Sequence, residues 1–214
     1  MILRDPKTRG EWLECRSHGI GGSDAAAVMG LNKYRSNLDL WKEKTGIKKN
    51  TFAGNPATEY GKRAEHHIRE LFLLDYSDLK CEYHEYRMYA NDEHKFLYAT
   101  LDGELTDEYG KRGILEIKTT TIRNPKQWDE WDNKIPDSYY VQVLHQLLAT
   151  GWDYAWLRAY IRYFKGDDLR ATIKDYFINR ADVTDDLNEL LKSEIKFWDA
   201  VVNKKEPGLI MPGI

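Results

Sequence analysis

The sequence predicts an α/β fold in which a central mixed sheet of about five strands is flanked by helices. Three observations predict it. Apolar residues recur at helical spacing through the first third of the chain, and short β-branched or aromatic stretches follow between residues 80 and 119. A helical segment then crosses to two further strand-like runs before a closing amphipathic helix.

In chain order, Arg9–Arg16 fits a short helix. Gly21-Gly22-Ser23-Asp24 opens an Ala-rich helix through Met29, with Ser23 as its expected N-cap and Gly30 as its terminator. Ser36 is placed to cap a third helix, which carries Leu38 and Trp41 and stops at Gly46. Pro56–Leu74 is a longer helix, with Ala64, Ile68, Leu71 and Phe72 recurring at its period. The period then changes. Lys80–Tyr89, Phe96–Leu105 and Gly113–Thr119 are expected as adjacent, largely antiparallel strands, punctuated by Asn91-Asp92 and Glu108-Tyr109-Gly110. Gln127–Trp131 is a short helix and Ser138–Thr150 a longer one ending at Gly151. Tyr154–Tyr163 and Leu169–Phe177 are strands around Lys165-Gly166-Asp167-Asp168. Asp182–Asn203 closes the chain as a helix with Leu187, Leu190, Leu191, Ile195 and Trp198 on one face.

No repeat, low-complexity tract or linker divides the 214 residues, so they are read as one domain, 1–214. It comprises a helical front (1–75), a sheet core (79–178) and a C-terminal helix and tail (182–214). A hydrophobic content of 42% with 31% charged residues places the chain among folded globular proteins rather than disordered ones. Apolar runs such as Leu71–Leu74 are far too short to span a bilayer, and the opening Met-Ile-Leu-Arg-Asp-Pro lacks signal-peptide anatomy. Cys15 and Cys81 form neither a CxxC nor a disulfide scaffold, so a cytoplasmic, reducing setting is expected. The net charge of −3 argues against a protein that coats nucleic acid. Its distribution is uneven: residues 1–74 hold 13 Lys/Arg against 9 Asp/Glu, and the remainder 19 against 26. The front of the chain can therefore supply local phosphate contacts.

The sharpest local feature is Asp102 followed by Glu116-Ile117-Lys118. Side chains alternate across a strand, so Glu116 and Lys118 share one face while Leu115 and Ile117 point into apolar surroundings. If Asp102, at a strand end beside Gly103, belongs to the neighbouring strand, two carboxylates and an ammonium converge. Such a set suits phosphodiester hydrolysis. Mg2+ takes one or two carboxylates and completes its shell with water and phosphate oxygens, and a lysine can orient the water or stabilise developing charge. A solvated sheet edge or a simple ion pair uses the same residue types, and a bare D-x(n)-E-x-K match is common by chance.

The surrounding motifs bear on that choice. The run from Arg16 through Gly21-Gly22-Ser23-Asp24 to Tyr34, continuing to Leu40-Trp41 and Thr45-Gly46, resembles the N-terminal motif of the YqaJ-type viral recombinase / bacteriophage lambda exonuclease family. That family lies within the PD-(D/E)xK nuclease superfamily, whose restriction-endonuclease-like core is a mixed sheet flanked by helices. The resemblance continues, in family order, through Gly61-Lys-Arg-Ala-Glu65, Asp102-Gly103, Leu115-Glu-Ile-Lys-Thr119 and Tyr140-Val-Gln-Val-Leu-His-Gln146-Leu. It covers roughly residues 9–165.

The resemblance implies a Mg2+-dependent 5′→3′ double-strand exonuclease that leaves 3′ single-stranded overhangs for recombination by single-strand annealing. Mn2+ is a substitute ion, and one or two ions bind per site. It gives Asp102, Glu116 and the backbone carbonyl of Ile117 to the metal and Lys118 to the attacking water. Glu65 and Gln142 support the site, with Gln146 one turn along the same helical face as the competing glutamine. Arg16 and Ser23 keep the seven-residue interval of the family's 5′-phosphate pocket. A helix N-terminus and a bidentate arginine suit an anion on independent grounds, although a surface arginine beside a plain N-cap would look the same. Thr100 and Arg123 are further phosphate candidates in loosely aligned regions.

The expected partners are double-stranded DNA ends, two further copies in a homotrimeric ring and a single-strand annealing protein, with no membrane. The expected setting is the cytoplasm of a bacterial host, with a phage or prophage gene. A structure-dependent endonuclease or nickase of the same fold, and an inactive DNA-end-binding accessory protein, are the competing readings. The Asn32-Lys33-Tyr34-Arg35 turn can touch DNA or stand as a solvated loop. Most of the seven Trp and fourteen Tyr are expected in the core. His66, His67 and His145 form no zinc-ligand pattern. Two cysteines also exclude a four-thiolate iron–sulphur nuclease.

Overall fold

The computed structural model describes residues 2–49 and 54–210. Its elements are β1 (Ile2–Arg4), α1 (Arg9–Ser17), β2 (Ile20–Gly21), α2 (Gly22–Val28), α3 (Asn37–Lys44), α4 (Pro56–Asp75), β3 (Lys80–Glu82), β4 (Met88–Ala90) and β5 (Leu97–Ala99). They continue with β6 (Gly103–Thr106), β7 (Arg112–Ile122), α5 (Pro125–Asp129), α6 (Asp137–Thr150), β8 (Tyr154–Lys165) and β9 (Asp168–Asn179). A 3-10 turn (Arg180–Val183) leads into α7 (Thr184–Val202).

Two sheets result. The larger has the order β3-β6-β7-β8-β9, and the smaller β1-β4-β5-β2. Within the larger, β7 and β8 are parallel and every other pair is antiparallel. A parallel pair needs a crossover, which the segment carrying α5 and α6 supplies. The two faces of β7 are therefore covered by different helices. On one face Leu115 and Ile117 pack with Ile68 and Phe72 of α4, and on the other Ile114 joins Val143, Leu144 and Leu147 of α6.

The expected strands Lys80–Tyr89 and Phe96–Leu105 are each broken in two. Their first and second halves lie in different sheets, with β4 and β5 forming a hairpin in the smaller one. The second break has a visible cause. Thr100–Asp102 carries the chain from β5 across to β6, and Gly103 enters the larger sheet where a Cβ would meet Cys81 Sγ at 2.7 Å and Leu115 Cβ at 3.1 Å. The smaller sheet also recruits β1 and β2, which are too short to show a strand period.

Two further expectations are corrected. Ser23 is not the N-cap of α2: Gly21 is, and its N–H donates to the Asp24 carboxylate at 3.2 Å, so Ser23 lies inside the first turn. On α7 the buried stripe runs through Leu187, Leu190, Glu194, Phe197 and Val201, leaving Ile195 38% exposed. Glu194 is tolerated there because its Oε1 lies 2.6 Å from His145 Nδ1 on α6, while His145 Nε2 faces the Tyr98 carbonyl at 3.0 Å. Helices α1, α3 and α4 match their expected spans to within a residue or two, with Ser36 capping α3 through Asp39 N–H.

Helix α4 is held by Ile68 and by Phe72, which is fully buried against Tyr76 and Trp156. Phe72→Ala should cost about 3–5 kcal/mol in chemical denaturation. Leu74→Ala, at a site 78% exposed, should stay within about 0.5 kcal/mol of the parent. Equal effects would contradict this packing.

Candidate active site

Strand β6 begins at Gly103, opposite Leu115, whereas β7 continues to Ile122. From Glu116 onward one edge of β7 has no β6 partner. The Asp102 carboxylate takes the first free place there, and its Oδ2 accepts the Ile117 N–H at 2.8 Å. A residue's N–H and C=O point to the same side of a strand, so the Ile117 carbonyl faces the same open edge. Behind Asp102, Arg69 of α4 donates to its backbone carbonyl and stacks over Tyr83 at 3.8 Å.

Glu116 is 3% exposed, a position that a carboxylate occupies only with donors around it. Three are in place. Lys118 Nζ lies 2.6 Å from Glu116 Oε1, Gln142 Nε2 donates to the same oxygen at 2.7 Å, and Gln146 Nε2 donates to Oε2 at 2.5 Å. The Gln142 amide also closes a ring, because its Oε1 accepts from Lys118 Nζ at 2.9 Å. The glutamines can come this close because Gly22 of α2 sits against them. A Cβ at Gly22 would stand 3.2 Å from Gln142 Cγ and 3.5 Å from Gln146 Cγ.

The electrostatics mark an excess of negative charge. Burial, followed by Glu116 and Glu65, pushes the Asp102 carboxyl well above the usual carboxylate range. Burial and then Glu116 push Glu65 up as well. Burial opposes the charge on Lys118, but Glu116 and Asp102 outweigh it and hold the ammonium above its ordinary value. Three carboxylates thus face the Lys118 ammonium and the Arg69 guanidinium, an excess of negative charge that a bound cation relieves. Asp102, the Ile117 carbonyl and Glu116 are the oxygens suited to a hard divalent ion.

A tighter acidic group lies elsewhere. Glu82, His84 and Glu104 bring ligand atoms within 4.8 Å of one another. Glu104, however, already faces Arg112 Nη2 at 3.3 Å and Arg87 Nη1 at 3.9 Å, so guanidinium groups already stand against its charge. His145 is the buried partner of Glu194, and His66 and His67 are exposed on α4.

The sequence-predicted residues fall into three groups. Glu116, Lys118 and Gln142 meet directly, Asp102 joins them through the Ile117 N–H and the charges it shares with Glu116 and Lys118, and Glu65 stands beside them on α4. Arg16 and Ser23 also meet, with Arg16 Nη2 donating to Ser23 Oγ at 2.7 Å. Trp12 ties Thr100 to this second cluster: its ring lies 4.6 Å beneath the Arg16 guanidinium and its Nε1 donates to Thr100 Oγ1 at 2.9 Å. Arg123 is exposed just beyond the end of β7, its backbone N–H held by Gln127. Arg35, in the basic turn, is committed to Asp24 at 2.5 Å and Glu43 at 3.1 Å, while Tyr34 is 97% exposed.

Sequence reasoning missed Arg69 and set Gln146 aside. The signal for Arg69 was its place four residues after Glu65 and between Ile68 and Phe72, on the face of α4 that turns to the sheet.

Comparisons with known proteins agree with this architecture. Residues 11–153 match the family model described as the YqaJ-like viral recombinase domain. The YqaJ protein of Bacillus subtilis (strain 168) is 34% identical over 203 residues, covering 94% of this chain and 59% of that protein, so the chain spans under two thirds of that relative's length. Among solved structures, the alkaline exonuclease LHK-Exo of Laribacter hongkongensis superposes with a TM-score of 0.65 at 19% identity, covering 92% of this chain and 94% of that one. A phage-related exonuclease of Haemophilus somnus 129PT gives 0.54 at 15% identity, covering 87% and 96% respectively. At such identities the structural likeness is one of fold. With the family-model match and the Bacillus relative beside it, the chain belongs to the YqaJ-like viral recombinase domain family.

Proposed function

We propose that this chain is a Mg2+-dependent 5′→3′ exonuclease of double-stranded DNA, which resects linear ends to 3′ overhangs for recombination by single-strand annealing. The observation that carries the reading is the Asp102 carboxylate on the open edge of β7, next to a buried Glu116–Lys118–Gln142 ring. The relatives lend support, since LHK-Exo is an alkaline exonuclease whose structure is also known with dAMP.

When bound, Mg2+ (or Mn2+, one ion or two) supplies Lewis-acid neutralisation of the phosphodiester and a more acidic water. The chain does the rest. Asp102, Glu116 and the Ile117 carbonyl hold the ion, with Glu65 completing the acidic wall. Lys118, which Glu116 and Asp102 hold as an ammonium in the metal-free site, orients water and stabilises charge on the phosphoryl oxygens. Gln142 fixes the direction of that ammonium. Arg16 and Ser23 grip the terminal 5′-phosphate, with Thr100 and Arg123 as outer phosphate contacts. The working assembly is a homotrimeric ring around duplex DNA, in a bacterial host's cytoplasm, with a single-strand annealing protein as partner.

Digestion of end-labelled linear duplex with Mg2+ or EDTA, beside a closed circle, tests this reading. It expects Mg2+-dependent loss of the linear form from 5′-phosphorylated ends and an intact circle. Arg16→Ala should shrink the preference for phosphate over hydroxyl ends by on the order of tenfold while leaving hydrolysis measurable. Cutting of the circle at a matched rate would make the protein an endonuclease.

The raised Asp102 and Glu65 values give a pH dependence. Because the folded pKa values exceed the unfolded ones, the metal-free protein binds more protons when native. It therefore loses stability as pH rises from about 4 through the folded values. A cation on the ionised carboxylates restores it. The Tm gain on adding Mg2+ should grow between about pH 5 and pH 8 and vanish in Asp102→Asn. A gain that is constant with pH, or that survives in Asp102→Asn, would contradict the assignment.

A further inference from the structure

Asp24 of α2 is 2% exposed and has no part in the hydrolysis proposed above. Both of its carboxylate oxygens are nonetheless fixed. Arg35 Nη2 donates to Oδ1 at 2.5 Å, while Lys44 Nζ and the Gly21 N–H donate to Oδ2 at 2.8 Å and 3.2 Å. Burial opposes the charge on Asp24, but Lys44, Arg35 and Arg16 outweigh it and hold the carboxyl well below the usual carboxylate range.

The two cations do more than neutralise it. Arg35 Nη2 also donates to the Ser23 carbonyl at 3.3 Å, and Lys44 Nζ to the Arg16 carbonyl at 2.9 Å. The Arg16 carbonyl accepts the Tyr98 hydroxyl as well. One buried carboxylate is thereby tied, through one cation each, to the main chains of the two residues whose side chains meet at 2.7 Å. Arg16 lies in the last turn of α1 and Ser23 in the first turn of α2, so this clamp joins two elements. Gly21, between them, keeps the space open: a Cβ there would stand 3.2 Å from Tyr98 Cε2 and 3.8 Å from Arg16 Nη2. Charge is left over. Arg16, Arg35 and Lys44 stand against Asp24 and Glu43, three cations to two carboxylates, and an added anion completes the balance.

We propose that Asp24, acting through Arg35 and Lys44, is the positioning residue that holds Arg16 and Ser23 in the arrangement that selects a terminal phosphate. The inference rests on the reading of Arg16 and Ser23 as the 5′-phosphate grip. It assigns the selectivity of that grip to a buried ionic clamp behind it rather than to the two side chains alone. A buried ion pair is an inefficient stabiliser, because desolvation offsets much of its attraction. What it does supply here is fixed geometry. With the carbonyls of residues 16 and 23 pinned, the guanidinium and the hydroxyl need little reordering to meet an anion, which is the cost that preorganisation removes. Arg35 and Lys44 are turned inward to Asp24 and act through the main chain of the grip.

Fluorescence polarisation with a labelled hairpin duplex that has one free end, carrying either a 5′-phosphate or a 5′-hydroxyl, tests the proposal in EDTA, where no cleavage intervenes. The parent should bind the phosphorylated end more tightly. That preference should shrink by on the order of tenfold in Asp24→Asn and about threefold in Lys44→Met, with affinity for the hydroxyl end within about twofold of the parent. Asp175→Asn, which breaks the buried Arg158 pair on β9, should lower Tm and leave the preference unchanged. If Asp24→Asn fails to fold, Lys44→Met decides, since Arg35 still neutralises Asp24 there. A parent-like preference in folded Asp24→Asn or in Lys44→Met, or an equal loss at both kinds of end, would overturn the clamp and leave the Arg16–Ser23 grip standing. No preference in the parent would overturn the grip, and the clamp with it.

Discussion

Half-way along β7 the chain places an ionisable carboxylate, Glu116, where only 3% of it reaches solvent. Such a group needs donors on both oxygens, and leaving one partner out costs about 3–5 kcal/mol. Much of the surrounding structure answers that demand. Lys118, two residues on, returns to the same face of the strand. Helix α6, otherwise buried through Val143, Leu144 and Leu147, is polar at Gln142 and Gln146 where it crosses that face. Gly22 removes the side chain that would push those glutamines away.

The second constraint is where β6 begins. Because it starts at Gly103, the last part of β7 has a free edge, and Asp102 stands at its head. Arg69 fixes the Asp102 main chain from α4, the helix that carries Glu65 and is anchored by Ile68 and Phe72. Core packing and the candidate site therefore meet on one helix. Three of the four phosphate-binding candidates, Arg16, Ser23 and Thr100, form a separate cluster, in which Trp12 joins Arg16 to Thr100 and so ties α1 to the loop that leads into Asp102, while Arg123 stands apart beyond β7.

Much of this was legible in the residues. The period of Pro56–Leu74 marked α4, and alternation along β7 set Glu116 and Lys118 against Leu115 and Ile117. Asp102 was visible mainly through its family-like spacing. The partition into two sheets was not legible, because residues 83–87 contain no glycine or proline to announce a break, and Gly103 marks a bend without showing that the chain changes sheet. Strands of two or three residues, such as β1 and β2, have no period to detect. The choice between Gln142 and Gln146 had no sequence answer, since a carboxylate with two oxygens uses both. At α2, Asp24 captures the Gly21 N–H and takes the capping role expected of Ser23, which leaves the serine hydroxyl to Arg16.

The central claim is that the lysine in the buried ring serves hydrolysis rather than structure alone. Single-turnover cleavage and duplex binding by Lys118→Ala, measured side by side with Mg2+ present, address it most directly. Binding should stay near the parent value while the cleavage rate falls by on the order of 10²–10³-fold. Cleavage at the parent rate, or a loss explained entirely by weaker binding or unfolding, would contradict it.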